Sequence, residues 1–194
     1  MFRQSGDRSG EARALGNLGS VAIRQGRYER AVDRYQQALA LFRLSGDRPG
    51  EASLLPDLGV AYQRQGRYEQ AADCYRRALP LLRESGDRTG EAEALNGVGE
   101  IMLATGQAEE ACVQHAAALS LASQIGDRYE RARAHNGLAA AHHITGAAGL
   151  ARYHRRRALD LYTSLGAPEY GEMRMWLAAL DRRDLNDHGD LVTL

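Results

Sequence analysis

Gly-Asp-Arg stands at residues 6–8, 46–48, 86–88 and 126–128, forty residues apart each time with no insertion between copies. A fixed period of this length means one supersecondary unit copied in series, and it restricts the chain to stacked-array folds. A degraded fifth copy begins at Gly166. Each unit carries two apolar stripes at helical spacing. In the first unit they are Leu15, Leu18, Gly19 and Ala22, then Tyr28, Ala31, Tyr35, Ala38, Leu39 and Phe42. The second unit repeats them as Leu55, Leu58, Gly59 and Tyr62, then Tyr68, Ala71, Tyr75, Ala78, Leu79 and Leu82. Gly26 and Gly66 break the pattern between the stripes, as a left-handed helix terminus requires. Two helices per unit follow, and neither buries its stripe without a stacked neighbour.

The Gly-Asp-Arg triplet reads as a helix junction. Its Gly ends one helix, and its Asp accepts the free N–H groups of the next. Glu11, Glu51 and Glu91 follow in the first turn, where the helix dipole favours negative charge. Pro56 and Pro80 fall inside predicted helices and are expected to kink them, or to shift a helix start to Pro56.

Leu55, Leu58-Gly59, Tyr62, Gly66, Ala71, Tyr75 and Ala78 together resemble the tetratricopeptide repeat, in a long variant with a 40-residue period. The resemblance covers residues 1–165. The long variant resembles the repeats of spindle-orientation adaptors and the C-terminal arrays of actinobacterial antibiotic-regulatory transcription factors, and the arginine-only, alanine-rich composition favours the bacterial group. The resemblance implies an all-α right-handed superhelix of four helical hairpins, at 6–45, 46–85, 86–125 and 126–165. A capping helix over 166–183, carrying Met173, Trp176, Leu177 and Leu180, and a tail over 184–194 complete the expected organisation. Phe2-Arg3 matches Phe42-Arg43, so residues 1–5 read as the remnant of a preceding helix, and the sequence reads as a piece of a longer protein. Removing that neighbour is expected to expose Leu15, Ala22 and Tyr35 edges and to promote self-association at the N-terminal end.

The resemblance also implies a concave ligand groove on the first helix of each hairpin. The residues it assigns there are Arg13, Asn17, Arg24, Gln63, Arg64, Asn96, Glu100, Arg133, Asn136 and His143. Asn96 and Asn136 offer a donor and an acceptor to a peptide backbone, and Arg13, Arg24 and Arg64 offer guanidinium groups to carboxylates. The chain contains no lysine, which departs from the carboxylate clamp of chaperone-binding members. The implied partner is a protein or peptide, and the implied role is the interaction arm of a bacterial transcription regulator. A stand-alone scaffold and a receptor for a signalling peptide or small molecule are the alternatives.

Composition narrows the remaining classes. Twenty-five basic and 25 acidic residues balance, which argues against nucleic acid as the main partner. No apolar run approaches the roughly 20 residues that span a bilayer. Cys74 and Cys112 have no metal-ligand spacing, and a reducing cytoplasm is the expected location. Phosphate-loop, nucleophile-elbow and HExxH patterns are missing, so neither catalysis nor a cofactor is expected. His115, His135 and His142 stand at consensus large positions near the third and fourth units. They are expected to converge as buried imidazoles in a polar junction, with a metal site or pH switch as the sharper alternative.

Overall fold

The computed structural model describes residues 7–166, all in helices and short turns. Eight α-helices form four consecutive hairpins. The first helices are α1 (Arg8–Arg24), α3 (Arg48–Arg64), α5 (Arg88–Ala104) and α7 (Arg128–Ile144). Their hairpin partners are α2 (Tyr28–Ser45), α4 (Tyr68–Ser85), α6 (Ala108–Ile125) and α8 (Ala148–Leu165). The expected remnant helix, capping helix and tail lie outside the described residues.

The junctions form as the triplet predicts. Gly46, Gly86, Gly126 and Gly166 adopt the left-handed conformation, with φ between 64° and 76°, which a residue without Cβ takes up freely. Asp7, Asp47, Asp87 and Asp127 each accept a backbone N–H three residues on, at 2.9 Å. Both prolines sit within unbroken helices, Pro56 buried in α3 and Pro80 exposed on α4; α3 starts at Arg48, so its start is not shifted to Pro56.

Stacking gives the solenoid its curvature. The backbone of each first helix comes close to that of the first helix in the next hairpin, whereas no two second-helix backbones come as close among the described residues. The layer of first helices is therefore the tighter, concave side. Close approach there depends on rings passing through glycine gaps. Tyr75 of α4 reaches between α3 and α5, where a Cβ would come 2.8 Å from its ring at Gly59 and 2.3 Å at Gly97. His115 of α6 fills the next gap, at 2.6 Å from a Cβ at Gly99 and 2.2 Å from one at Gly137.

One element of the expected stripe fails. Leu18 is 54% exposed and Val21 37% exposed, whereas Leu58 and Leu138 are buried. Leu58 lies beside Gln36 and Leu39 of the preceding hairpin, and no described helix precedes α1. Ala22 and Tyr35, expected as exposed edges, are buried, Tyr35 with its ring against Gly19 of α1, and Leu15 is half-buried.

Candidate functional site

Helical spacing on α3, α5 and α7 directs one row of side chains from each into the concave face. There they line a depression of about 710 Å³, together with Tyr68 of α4, Tyr129 of α7 and Tyr162 of α8. Five of the ten expected groove residues gather there: Gln63, Arg64, Glu100, Arg133 and Asn136. Arg13 lines a different depression beside Phe42, Pro49 and Ser53. Asn17, Arg24 and His143 are exposed on first helices outside the 710 Å³ depression.

Asn96 is not a groove contact, because it is fully buried. Its amide nitrogen donates to the Glu130 carbonyl at 3.0 Å and to Glu130 Oε2 at 2.9 Å. Its oxygen faces His115 Nδ1 at 3.0 Å. An amide with its nitrogen on two acceptors leaves only its oxygen for the imidazole. His115 Nδ1 therefore carries the proton, and Nε2 is left as a buried acceptor with no partner. Burial pushes this imidazole down to about 4, against the pull of Glu100.

The wall of the depression is held by an ion-pair cluster. Arg133 donates to Glu100 at 2.8 and 3.2 Å and to both Glu130 oxygens at 3.2 Å. Gln63 donates to Glu100 at 3.1 Å from α3. Burial alone raises the Glu100 carboxyl; Arg133 and the two hydrogen bonds reverse that and leave it below its ordinary value. Arg155 of α8 binds the Asn136 oxygen from below. It repeats, with a guanidinium, the contact that His115 makes to Asn96.

Two carboxylates on the same face of the first helices, outside the ten expected groove residues, join them. Asp57 on α3 and Glu93 on α5 line the depression and make no ion pair or hydrogen bond among the described residues. Burial raises Asp57 to about 6. Burial first, and then the nearby charge of Asp57, raise Glu93 to about 7. Asp57, Glu93, Glu100 and Glu130 against Arg64 and Arg133 leave the depression with a surplus of acid over base.

The three expected histidines do not converge. His135 and His142 gather instead around His154 of α8, which sequence spacing missed. His135 Nδ1 lies 2.8 Å from His154 Nδ1, and the His142 and His154 rings stack at 5.5 Å. Cys112 Sγ is 3.9 Å from His142 Nδ1. Among the described residues, no group of three or more His, Cys, Asp or Glu side chains is arranged to hold a metal ion.

Stacked helical hairpins with a concave first-helix layer define a repeat solenoid. Two tetratricopeptide-repeat models match, over residues 6–84 and 57–124. Together they span more than half of the sequence, and the chain belongs to the tetratricopeptide-repeat proteins. No curated protein matches the chain in sequence. Among solved structures, a Rap protein complexed with competence and sporulation factor is similar over 93% of this chain, with a TM-score of 0.81 and 14% identity. Aspartyl phosphate phosphatase F from Bacillus subtilis is similar over 96%, with a TM-score of 0.79 and 13% identity. RapI in its apo form is similar over 94%, with a TM-score of 0.72 and 15% identity. The chain spans about half the length of each, 51%, 50% and 51% respectively. No described helix is long and apolar enough to cross a membrane.

Proposed function

We propose that the chain is a binding module, without chemistry of its own, that takes a polypeptide segment along the concave face of α3, α5 and α7. The observation that carries this reading is the 710 Å³ depression, which presents Gln63, Arg64, Asn136 and two unpaired carboxylates on one rigid layer of helices. A peptide needs such groups at intervals, because its own N–H and C=O lose water on docking. The likeness to a Rap structure that holds a signalling factor supports a peptide as the ligand and favours the receptor reading over a passive scaffold. The wider setting we assign is the interaction arm of a larger bacterial regulator of transcription. That part rests on the resemblance of the 40-residue units alone, and the domain architecture of the full gene product tests it.

Panning a display library of linear peptides against the chain tests the groove. Binders are expected to weaken by about tenfold, or 1.4 kcal/mol, in Gln63→Ala/Asn136→Ala. Binders indifferent to that variant and to Arg64→Glu would place recognition elsewhere and end the groove reading.

A further inference from the structure

The last hairpin closes on a contact that can change its charge. His135 Nδ1 of α7 lies 2.8 Å from His154 Nδ1 of α8. His142, two turns further along α7, stacks on the same His154 ring with centroids 5.5 Å apart. In the second hairpin the equivalent positions hold Leu55 and Cys74, both buried in the apolar cluster. Burial pushes the Cys74 thiol up to about 12, so that pair stays neutral. In the third hairpin the positions hold Leu95 and Gln114, which do not titrate. Among the four hairpins only the last sets two histidines against each other there.

A hydrogen bond between two ring nitrogens needs one N–H and one lone pair. Two neutral rings supply both. One extra proton is tolerated, because Nε2 of the donor ring takes it up and Nδ1 goes on donating. A second extra proton puts two N–H groups face to face, and the bond is gone. The surroundings oppose that second proton. Burial first, then His154, Arg131 and Arg157, push His135 down to about 4. Burial and then His142 lower His154. Tyr153 of α8 stands edge-on to both His135 and His154, with Arg157 over its ring. From α6, Cys112 Sγ lies 3.9 Å from His142 Nδ1, and Glu109 acts on that thiol. The charges that act on His135 and His154 are thus positive ones.

We propose that the His135–His154 pair, backed by His142, is an acid-released latch that holds α8 against α7. It stays closed with one extra proton and opens with two, and the last hairpin parts before the others unfold. The apolar group there is small, built on Ala132, Ala158 and Tyr162, and elements with few buried apolar contacts open first. The next residue along each helix gives the opening a consequence. Asn136 and Arg155 meet beside the latch, and Asn136 lines the depression together with Arg133 of α7 and Tyr162 of α8. Opening therefore dismantles one wall of the depression in acid. That consequence rests on the groove reading above, whereas the latch itself does not.

Amide hydrogen exchange of the whole chain, read as protection factors from pH 7 to 4.5, tests the latch. Protection in α7 and α8 is expected to fall at least about tenfold further than in α1–α4, since each unit between folded and unfolded values contributes up to tenfold. His135→Leu/His154→Gln gives the last hairpin the residues of the third, and it is expected to remove that extra loss. Loss in parallel with wild type overturns the latch and assigns the acid response to His115 of α6. Imidazole titration of the unaltered chain by NMR needs no substitution. His135 and His154 are expected to titrate in two separated steps below about 6.5, as coupled groups do, with protection of α7 and α8 lost at the lower step. Independent titration of both rings near 6.5 overturns the proposal. The groove reading fails separately: peptides indifferent to Gln63→Ala/Asn136→Ala end it and leave the exchange data to decide the latch.

Discussion

The two halves of this solenoid solve one packing problem with different chemistry. In the first two hairpins the gap between first helices is filled by Tyr35 and Tyr75, and a single apolar cluster runs from Ala12 to Ile101. In the last two the same position carries His115 and Arg155, which bind Asn96 and Asn136. The apolar core there breaks into two small groups, one around Leu95 and Leu121 and one around Ala132 and Tyr162. The first half is held by area removed from water. The second half depends on hydrogen bonds to buried or half-buried amides, one of them from a histidine that titrates. The repeat therefore fixes where a plug is needed and leaves open what the plug is made of.

The sharpest way to break this contrast is to remove the plugs. Tyr75→Ala should cost about 3–5 kcal/mol, since it empties a fully buried aromatic site between rigid helices. His115→Ala should cost less, about 1–3 kcal/mol, the range for a stranded buried amide. Urea melts of both variants at neutral pH decide the matter, and equal losses would show that the two plugs are interchangeable.

Acid comes next. Burial pushes His115 and His135 down to about 4 in the folded chain, and His154 is lowered too. The unfolded value is about 6.5, so the unfolded chain takes up these protons first as pH falls. The stability that these groups carry is complete above about pH 6.5 and drains towards pH 4, on the order of 3 kcal/mol for each of His115 and His135. Asp57 and Glu93 act in the opposite sense. Their folded values lie above the unfolded ones, so they add stability as pH falls through about 7 and 6. Denaturant melts from pH 8 to 4.5 should therefore be flatter for His135→Leu than for wild type, and steeper for Asp57→Asn/Glu93→Gln. Parallel curves for all three proteins would show that neither group is buried as described.

Much of this fold was legible in forty residues of text. The junction triplet, the turn glycines and the small residues along each stripe all act through local backbone geometry, which spacing reports directly. The polar chemistry was not legible. Asn96 occupies a position that faces the groove in its counterpart Asn136, but the Glu130 side chain folds over it. His154 is equivalent to Arg34, Cys74 and Gln114, a position with no consensus size, and it is hidden in a run of arginines. Asp57 and Glu93 looked like solvated charges, because whether a carboxylate has a partner depends on the helix beside it. The period reports what every unit shares, whereas a site is made from what one unit does differently.

Smaller effects sharpen the comparison. Asp47→Ala should cost about 1 kcal/mol by removing the cap on α3, and Asp127→Ala about the same on α7, because the junctions are alike in both halves. Unequal thermal shifts for the pair would mean the junctions differ in ways their geometry hides. Leu18→Glu should change stability by no more than about 0.5 kcal/mol, as surface substitutions do. If the self-association expected at the N-terminal end uses the exposed Leu18 and Val21 in place of the Leu15, Ala22 and Tyr35 edges, sedimentation over a range of concentrations should show that Leu18→Glu abolishes it. An unchanged oligomeric state would remove the N-terminal face as an interface. Tyr75→Phe should raise stability rather than lower it, since it deletes a buried hydroxyl that has no partner to lose.

The identical junctions also govern how such a chain can change in length. One residue added inside a helix turns everything beyond it by about 100° and carries the apolar stripe off the core. Forty residues added or removed at a junction bring a left-handed glycine to a capping aspartate again, and every stripe keeps its bearing. Heredity can therefore lengthen or shorten this molecule by whole hairpins far more safely than by single codons. A duplicated hairpin also brings its own wall to the concave face, so growth of the chain and enlargement of what it can hold are the same event.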